Sequence, residues 1–329
     1  MILSKSNLFK PTSLIIILLF LLTVPFWAGN YMIHAAIMTF LMVIYSATWR
    51  QLFAAGEFSF GHNAWIGVGA YAASLLSLKM GLSFWLALPI AGIVAIVGAL
   101  IFGYATLKVR GIYWAILTWA FGEVLVAVYT NFSSPFGGAG GLSSIPRPYV
   151  PFFPEAGESK IFWYFLGLAM VLIILVALYA LEKSRFGRNL VLICEAENLA
   201  RSLGIDVLRY KVINFTIASF FAAIAGAFYA YYVTAISPLV FNVMLCFLIV
   251  IYVAVGGRGN YAGPIIGATL LTMGTQALIG AGFYRTMILG VILIAFQLFL
   301  PTGLTGLPQL IKIWLQRRRL KGVADESSA

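Results

Sequence analysis

Two glutamates in apolar surroundings are the residues of this chain that could carry charge chemistry inside a membrane. Glu57 lies in the stretch AAGEFSFGH, and Glu123 lies in TWAFGEVL. Ionisable side chains in such segments are costly to bury, so they commonly line or gate a polar pathway, or hydrogen-bond between helices. Both interpretations stay open here, although Glu57 can also reach the membrane interface. Without a chain of further Asp, Lys or His, two acids give a proton pump little support.

A glycine-rich segment, GHNAWIGVGA at 61–70, has the composition of an unwound or closely packed helix. Its glycines, among them Gly61 and Gly67, each weaken a helix by about 1 kcal/mol relative to alanine. They either let neighbouring backbones approach closely or leave carbonyls and amides facing a polar pathway. Asn63 could hydrogen-bond a polar solute there, and Trp65 could line the pathway. Alternatively, the glycines could serve only close packing of helices, and Trp65 could be a core or lipid-facing aromatic.

Motifs for catalysis or for binding nucleotides and metals are absent from the sequence. The glycine cluster at 256–260 lacks the lysine of a phosphate-binding loop, and neither H-E-x-x-H nor G-x-S-x-G occurs. Cys194, Cys246, His34 and His62 are isolated from one another, so no disulfide framework or metal site is expected. We therefore expect a chain that is not itself an enzyme and holds no cofactor or metal. Its energy must come from a partner or from an ion gradient.

The stretch 181–211 is the one long polar interruption between strongly apolar segments, and it carries six basic residues. Leu199 and Leu203 are four residues apart, so they share one face of a helix. Gly204 follows the last apolar position, where a left-handed helix end favours glycine. A short amphipathic helix here would present an apolar ridge to a soluble partner. The alternative is a solvated connector held inside the cell by its charge.

Composition places the chain in a membrane, since 62% of its residues are hydrophobic and only 9% are charged, against about 25% charged residues in soluble domains. The formal net charge of +11 invites a nucleic-acid partner. We expect none, because the basic residues lie between apolar runs and not on a soluble module. The first apolar run lacks a small-residue cleavage site, so we interpret it as a retained span and not as a signal peptide.

The apolar runs predict an all-α, polytopic protein of about ten transmembrane helices, some of them interrupted. The predicted spans are 13–27, 31–49, 58–78, 84–107, 111–129, 161–181, 212–233, 241–255, 264–279 and 287–300. The third and ninth spans are the candidates for interruption. A loop at 131–160 is too rich in Gly and Pro to form a continuous helix.

Charge asymmetry predicts the orientation of these spans. With ten spans and the N-terminus inside, four basic residues fall outside, which leaves 17 of the 21 Lys and Arg on the cytoplasmic side. The four are Lys79, Arg147, Lys160 and Arg285. We therefore expect a transmembrane domain over 1–311, with loop 182–211 cytoplasmic and loop 131–160 on the opposite side. A basic cytoplasmic tail follows over 312–329.

The third and ninth spans share a pattern of small residues, with Gly-x-x-Ala followed by Gly-Ala at identical offsets in 61–70 and 259–268. Internal repeats of interrupted helices are common in transporters. Gly and Ala are also frequent in membrane helices for packing reasons alone. The pattern therefore predicts either a structural repeat or two independent packing motifs.

Longer segments resemble a known family. They are FSFGHNAWIGVGAYAASLL at 58–76, RGIYWAILTWAFGEVL at 110–125, FGGAGGLSSIPRP at 136–148, EAENLARSLGIDVLRYKVINFTIASFFAAIAGAFYA at 195–230 and GGRGNYAGPIIGA at 256–268. In this order they are similar to segments of the permease subunits of high-affinity branched-chain amino acid ABC importers, specifically the LivM-like branch. The resemblance covers about 56–307.

The resemblance implies a coupling helix within 195–206 that docks on a separate ATP-binding subunit. The residues that it assigns to this contact are Glu195, Ala196, Glu197, Leu199, Ala200, Leu203 and Gly204. It also implies two ATP-binding subunits, which bind the ATP, a second related permease subunit and a periplasmic solute-binding protein. The location it implies is the bacterial inner membrane.

We expect the binding protein to dock on the loop at 136–154. The residues assigned to that surface are Gly137, Gly138, Gly140, Gly141 and Leu142. The solute would then pass Glu57, Gly61, Asn63, Trp65, Gly67 and Glu123 in a largely uncharged path.

Departures from the family pattern at Glu57, Phe60 and 62–65 leave the identity of the solute open. Branched-chain or related amino acids are the expected cargo, and urea or short amides are the alternative. A carrier driven by a proton or Na⁺ gradient is the second alternative, with Glu57 and Glu123 as its support. A membrane-embedded enzyme would need a cluster of catalytic polar residues at one depth, and the sequence offers none.

Overall fold

A computed structural model describes residues 11–149, 157–278 and 303–306, together with positions 284, 287, 290, 291 and 294. The described part is helical. Its helices are α1 (Pro11–Trp27), α2 (Asn30–Phe53), α3 (His62–Met80), α4 (Phe84–Thr106), α5 (Ile112–Asn131), α6 (Ser133–Phe136), α7 (Lys160–Lys183), α8 (Arg185–Glu195), α9 (Glu197–Ser202), α10 (Val207–Val233), α11 (Val243–Gly256) and α12 (Ala262–Ala277). Short 3₁₀ turns cover Gly138–Gly140, Pro238–Phe241 and Leu304–Gly306.

Six of the described helical segments are long and apolar enough to cross a membrane, which makes the chain a polytopic membrane protein. They are α2, α4, α5, α7, α10 and the segment Pro238–Gly256, which joins a 3₁₀ turn to α11. The predicted first, third and ninth spans are also helical, as α1, α3 and α12. The predicted tenth span lies mostly outside the described residues, and the basic tail at 312–329 lies entirely outside them.

Small residues let α10 pack closely against α3 and α4, and these are the most extensive helix pairings. A Cβ built on Gly69 of α3 would lie 2.0 Å from the carbonyl oxygen of Ala223 in α10. A Cβ on Gly226 of α10 would lie 2.0 Å from the carbonyl oxygen of Ile66 in α3. Any larger residue at either glycine would push the two backbones apart, so these helices form the core of the bundle.

The loops meet at two opposite ends of the bundle. At the first, which we call the charged end, Arg50 at the end of α2 contacts Glu182 at the end of α7 and the backbone of Arg258 between α11 and α12. At the second, the glycine-loop end, Leu142 pairs with Ile236 through two backbone hydrogen bonds of 2.9 and 2.8 Å. The polar loop 182–211 and the loop 131–160 therefore lie at different ends, as the charge asymmetry predicts.

The polar loop 182–211 contains two helices where the sequence analysis predicted one. α8 begins at Arg185 and is capped by Ser184, whose hydroxyl accepts the N–H of Gly187. It buries Leu190 and Ile193 on one face and leaves Arg188 exposed. This apolar spacing is that of an amphipathic helix and was detectable in the sequence.

Candidate functional site

Two leucines, one in the short helix α9 and one directly after it, are exposed to solvent. Leu199 is 53% exposed and Leu203, directly after the helix, is 65% exposed. Ala200 is fully buried in a small core with Ile193 of α8 and Val207 of α10. Exposed leucines on one face, held from behind by a packed alanine, form the apolar ridge expected for contact with a partner.

Gly204 ends α9 in the left-handed conformation that the sequence predicts, with φ of +78°. Its N–H donates to the carbonyl of Arg201 at 3.0 Å, and the N–H of Ile205 donates to the carbonyl of Ala200 at 3.1 Å. These bonds satisfy the last carbonyls of the helix. They also turn the chain sharply into α10, so the ridge stays fixed relative to the bundle.

Glu197 anchors α9 to two other segments of the chain, through Arg110 and Lys211. One of its carboxylate oxygens lies 2.8 Å from the guanidinium nitrogens of Arg110 and Arg201, and the other accepts from Lys211 Nζ at 3.1 Å. Lys211 Nζ also lies 2.7 Å from a carboxylate oxygen of Glu57. We call these five residues the Glu197 network. It joins α9 to the start of α10 and to the loops before α3 and α5.

The pKa values of the two carboxylates of the network are shifted in opposite directions. Burial raises the pKa of Glu57 above its ordinary value, although the hydrogen bond from Lys211 opposes the shift. Burial acts in the same direction on Glu197 but is outweighed there by hydrogen bonds from Arg201 and Lys211, so the pKa of Glu197 is lowered. Among the described residues, Glu57 is in contact with one cation, whereas Glu197 is in contact with three.

A second charged cluster lies beside the first at the charged end. Arg50 donates to both carboxylate oxygens of Glu182, at 2.7 and 3.2 Å, and to the carbonyls of Arg258 and Gly259 at 3.2 Å. Its guanidinium lies 4.2 Å from the ring centre of Tyr261. These contacts tie the ends of α2 and α7 to the turn before α12, around a cavity of about 320 Å³ that α8 also lines.

A polar cluster forms where α3 and α5 meet the N-terminus of α11. Asn63 is fully buried, and its side-chain amide donates to the carbonyl of Phe241 at 2.8 Å. Glu123 is half-buried, and its carboxylate accepts the N–H of Val243 at 3.2 Å. The side chain of Asn242 accepts the N–H of Met244 at 3.0 Å. Two of the predicted pathway residues are thus brought together, while Glu57 belongs to the Glu197 network.

The other predicted pathway residues are tightly packed. Trp65 is buried among Phe102, Phe121 and Phe215, with ring centres between 5.5 and 6.2 Å away. A Cβ on Gly61 would lie 2.1 Å from the carbonyl oxygen of a threonine in α5, and one on Gly67 would lie 3.3 Å from the ring of a phenylalanine. These contacts have the form of the small-residue packing that the sequence analysis left open as the alternative.

The glycine loop has its own structural requirements. Gly137, Gly138 and Gly141 adopt positive φ, and a Cβ on Gly141 would lie 1.9 Å from the carbonyl oxygen of Ile236. Gly137 and Gly140 are exposed, whereas Gly138 is buried. The bonds from Leu142 fasten this loop to the turn between α10 and α11. Its assignment as a docking surface stays a prediction.

Lys211, Arg110 and Arg50 were not predicted from the sequence as members of the charged clusters. Each was counted only as a basic residue that sets the orientation. The signal for Lys211 was its position, since it is the last basic residue before the apolar run of α10. Its partners are far away in the sequence, and no local pattern identifies them.

Comparison with known proteins gives a family match over most of the chain. The model of the family described as "Branched-chain amino acid transport system / permease component" matches residues 31–297. No solved structure matches the chain significantly.

Individual relatives carry related descriptions. The chain is 28% identical over 310 residues to the high-affinity branched-chain amino acid transport system permease protein LivM of Salmonella typhimurium, covering 87% of this chain and 73% of that protein. It is 27% identical over 280 residues to the probable branched-chain amino acid transport permease protein LivH of Methanocaldococcus jannaschii, covering 80% and 85%. It is also 27% identical over 143 residues to the probable ABC transporter permease protein YphD of Escherichia coli, covering 40% and 43%.

Proposed function

Because the chain belongs to the family of permease components of branched-chain amino acid transport systems, we propose that it is the transmembrane subunit of an ATP-driven importer. Its cargo is a branched-chain or related amino acid, which moves inward. The names of the relatives support this assignment, since they describe branched-chain amino acid and ABC transporter permeases. The chain supplies the path and no catalytic group, and the ATP is bound and hydrolysed by partner subunits.

The orientation that we propose has the charged end in the cytoplasm of a bacterial cell and the glycine-loop end in the periplasm. Ten of the described basic residues lie at or near the charged end, in the order Arg50, Lys108, Arg110, Lys183, Arg185, Arg188, Arg201, Arg209, Lys211 and Arg258. Positive residues concentrate on the cytoplasmic side of membrane proteins. With α1, α3, α12 and the tenth span predicted from the sequence also crossing the membrane, both termini are cytoplasmic.

The exposed ridge of Leu199 and Leu203 carries the proposal of coupling to an ATP-binding partner. A leucine pair with more than half of its surface in water gains free energy by docking on an apolar groove. Glu197, in the same helix, is joined by charged hydrogen bonds to Lys211 and Arg110. A displacement of α9 by the partner would therefore move the start of α10 and the loop before α5.

The complete importer that we propose has two ATP-binding subunits, this chain paired with a second related permease, and a periplasmic solute-binding protein. The binding protein docks on Gly137–Leu142, which is fastened to the turn between α10 and α11. The solute then descends past Asn63 and Glu123. Closure of the ATP-binding subunits moves α9, the spanning helices rock, and the path passes the solute inward.

The coupling proposal is tested with the double variant Leu199→Asp, Leu203→Asp in the purified complex in proteoliposomes. Two carboxylates on the ridge would be desolvated on docking, so we expect loss of the ATPase activity that the loaded binding protein stimulates. The helix itself should persist, because both side chains are exposed and Ala200 remains packed. Membrane insertion is measured in parallel by recovery in the alkali-extracted membrane fraction, and correct assembly by size-exclusion chromatography.

Asn198→Asp, Ser202→Asp is the matched control, since these exposed polar residues have the same spacing on the neighbouring face of α9. It adds the same charge and keeps the ridge, so stimulation should persist. Normal stimulation in the leucine variant would refute coupling through α9. Uptake that needs no ATP-binding partner and collapses with an uncoupler would replace the whole proposal by a gradient-driven carrier.

A further inference from the structure

The N-terminus of α11 lies within the membrane-crossing segment Pro238–Gly256 and not at the end of that segment, because a 3₁₀ turn precedes the helix. α11 has 14 residues and is therefore about 21 Å long, shorter than the roughly 30 Å of the hydrocarbon core. Its C-terminal end is at the charged end, because the carbonyls of Arg258 and Gly259 just beyond it bind Arg50. Its first amides, with the positive end of the helix dipole, are consequently at membrane depth.

Glu123 lies at a similar depth in α5. It is 11 residues after Ile112 and 8 before Asn131, which places it about 16 and 12 Å along the axis from the two ends of the helix. It is half-buried, and no basic side chain of the described residues pairs with it. A carboxylate at this depth is too costly to face lipid. The open side of Glu123 must therefore face protein or a water-filled path.

Asn63 adds an unused acceptor to the same place. Its side-chain nitrogen is held by the carbonyl of Phe241, whereas its side-chain oxygen is fully buried and has no partner among the described residues. A Cβ on Gly122, next to Glu123, would lie 3.3 Å from both atoms of the amide. An orphan buried acceptor is unfavourable, so a ligand that brings an N–H donor there gains stabilisation.

We propose that Asn63, Glu123 and the N-terminus of α11 form a recognition point for the ammonium and carboxylate groups of an amino acid in transit. In the structure, the Glu123 carboxylate occupies the Val243 amide. A substrate carboxylate takes this amide in its place, and the released Glu123 accepts the substrate ammonium together with the side-chain oxygen of Asn63. The inference rests on the proposed transport function and adds the groups that recognise the cargo.

Exchange of one carboxylate for another explains how a zwitterion crosses without leaving a buried charge unpaired. The N-terminus of α11 holds the Glu123 carboxylate before the solute arrives and the substrate carboxylate afterwards. The substrate ammonium meets the released Glu123 carboxylate. A solute without an ammonium group would displace Glu123 from the Val243 amide and offer it no cation in return, which is unfavourable. Selection for amino acids then follows from the cluster as well as from the binding protein.

The test is ATP-dependent uptake of L-leucine by the purified complex in proteoliposomes, with the loaded binding protein outside. Glu123→Gln keeps the acceptor for the Val243 amide and loses the charge, so we expect uptake to fall about 10- to 100-fold, the worth of a charged hydrogen bond. Stimulation of ATPase activity should remain. Glu123→Asp keeps the charge and should retain more uptake than Glu123→Gln.

Outcomes separate this inference from the proposed function. Equal uptake by wild type and Glu123→Gln would overturn the recognition point and reduce Glu123 to a helix cap, with the transport function intact. Equal losses in Glu123→Gln and Glu123→Asp, accompanied by lower thermal stability, would likewise overturn it in favour of a structural role. If the wild type shows no ATP-dependent uptake of leucine, isoleucine, valine or any other amino acid, the proposed function is refuted. Glu158→Gln, an exposed carboxylate outside the cluster, is the control that should match the wild type.

Discussion

Replacement of Lys211 by methionine isolates the contribution of the Glu197 network to stability. The lysine is buried, and its ammonium is the sole cation in hydrogen-bond contact with Glu57 among the described residues. Glu197 would keep Arg110 and Arg201, each at 2.8 Å. Lys211→Met therefore leaves one carboxylate, that of Glu57, buried and unpaired.

The magnitude of the loss follows from the titration of Glu57. Breaking a buried ion pair costs about 3–5 kcal/mol when the remaining charge is retained. Protonation of Glu57 limits this cost to about 1.4 kcal/mol for each pH unit above its ordinary pKa of 4.5. At about pH 7.5 we therefore expect a loss of roughly 3–4 kcal/mol, which lowers the apparent melting temperature by about 5–10 °C.

The sign of the pH dependence follows from the direction of the shift. Burial already raises the pKa of Glu57 in the wild type, and removal of Lys211 raises it further. The folded variant then holds a proton that the unfolded chain releases. Its stability relative to the wild type should fall as pH rises from the ordinary value of Glu57 through the raised pKa, and should recover towards acid.

The assay is thermal denaturation of the detergent-solubilised protein, at one scan rate and over a pH series. Lys211→Met, Glu57→Gln should restore most of the lost stability at neutral pH and remove its pH dependence, because no buried charge remains. Arg201→Met is the control, since its side chain is 53% exposed and its ion pair is worth at most about 1 kcal/mol. A pH-independent deficit in Lys211→Met, unrelieved by Glu57→Gln, would refute the reasoning.

Three further changes test the packing and the loops. Gly226→Ala should destabilise the bundle by about 1–3 kcal/mol in thermal denaturation, because its Cβ would lie 2.0 Å from a carbonyl oxygen of α3. The control is Gly274→Ala, which has open space around it and should be neutral or slightly stabilising. Equal effects of the two variants on stability would contradict the close crossing of α3 and α10. Arg50→Lys should cost about 1–3 kcal/mol, because a lysine cannot reproduce the paired bonds to Glu182 and the two carbonyl contacts; an unchanged melting temperature would contradict this. Gly141→Ala should distort the glycine loop, because its φ is +72° and its Cβ would meet a backbone carbonyl. Co-sedimentation with the binding protein should then weaken while membrane insertion persists. Unchanged binding would remove the glycine loop from the docking surface.

The positions of the helices were largely predictable, and the errors at their ends have specific physical causes. The predicted third span began at Phe58, but α3 begins at His62. The intervening backbone bonds to other helices, with the indole of Trp49 donating to the carbonyl of Ser59 at 2.7 Å and the N–H of Phe60 donating to a threonine hydroxyl of α5 at 3.1 Å. The predicted seventh span began five residues late, because Asp206 caps α10 through the N–H of Arg209.

Whether a feature of the candidate site could be predicted depends on how far apart in the sequence its residues lie. The exposed leucines of α9 and the left-handed Gly204 follow from spacing within a few residues, and the structure has both. The network around Glu197 brings together residues 57, 110, 197, 201 and 211, from four separate segments. Glu57 was predicted on the solute pathway, and its pairing with Lys211 was not foreseen.

Sequence alone determined the membrane location, the helical fold class and the family of this protein, because these depend on composition, on periodicity and on the order of local motifs. Only the tertiary structure decided that Glu57 pairs with Lys211 and that Asn63 and Glu123 meet at the N-terminus of α11. The Glu57–Lys211, Asn63–Phe241 and Glu123–Val243 contacts join residues 154, 178 and 120 positions apart. Such distances are closed by helix packing through glycines and alanines, whose geometry no short stretch of sequence contains.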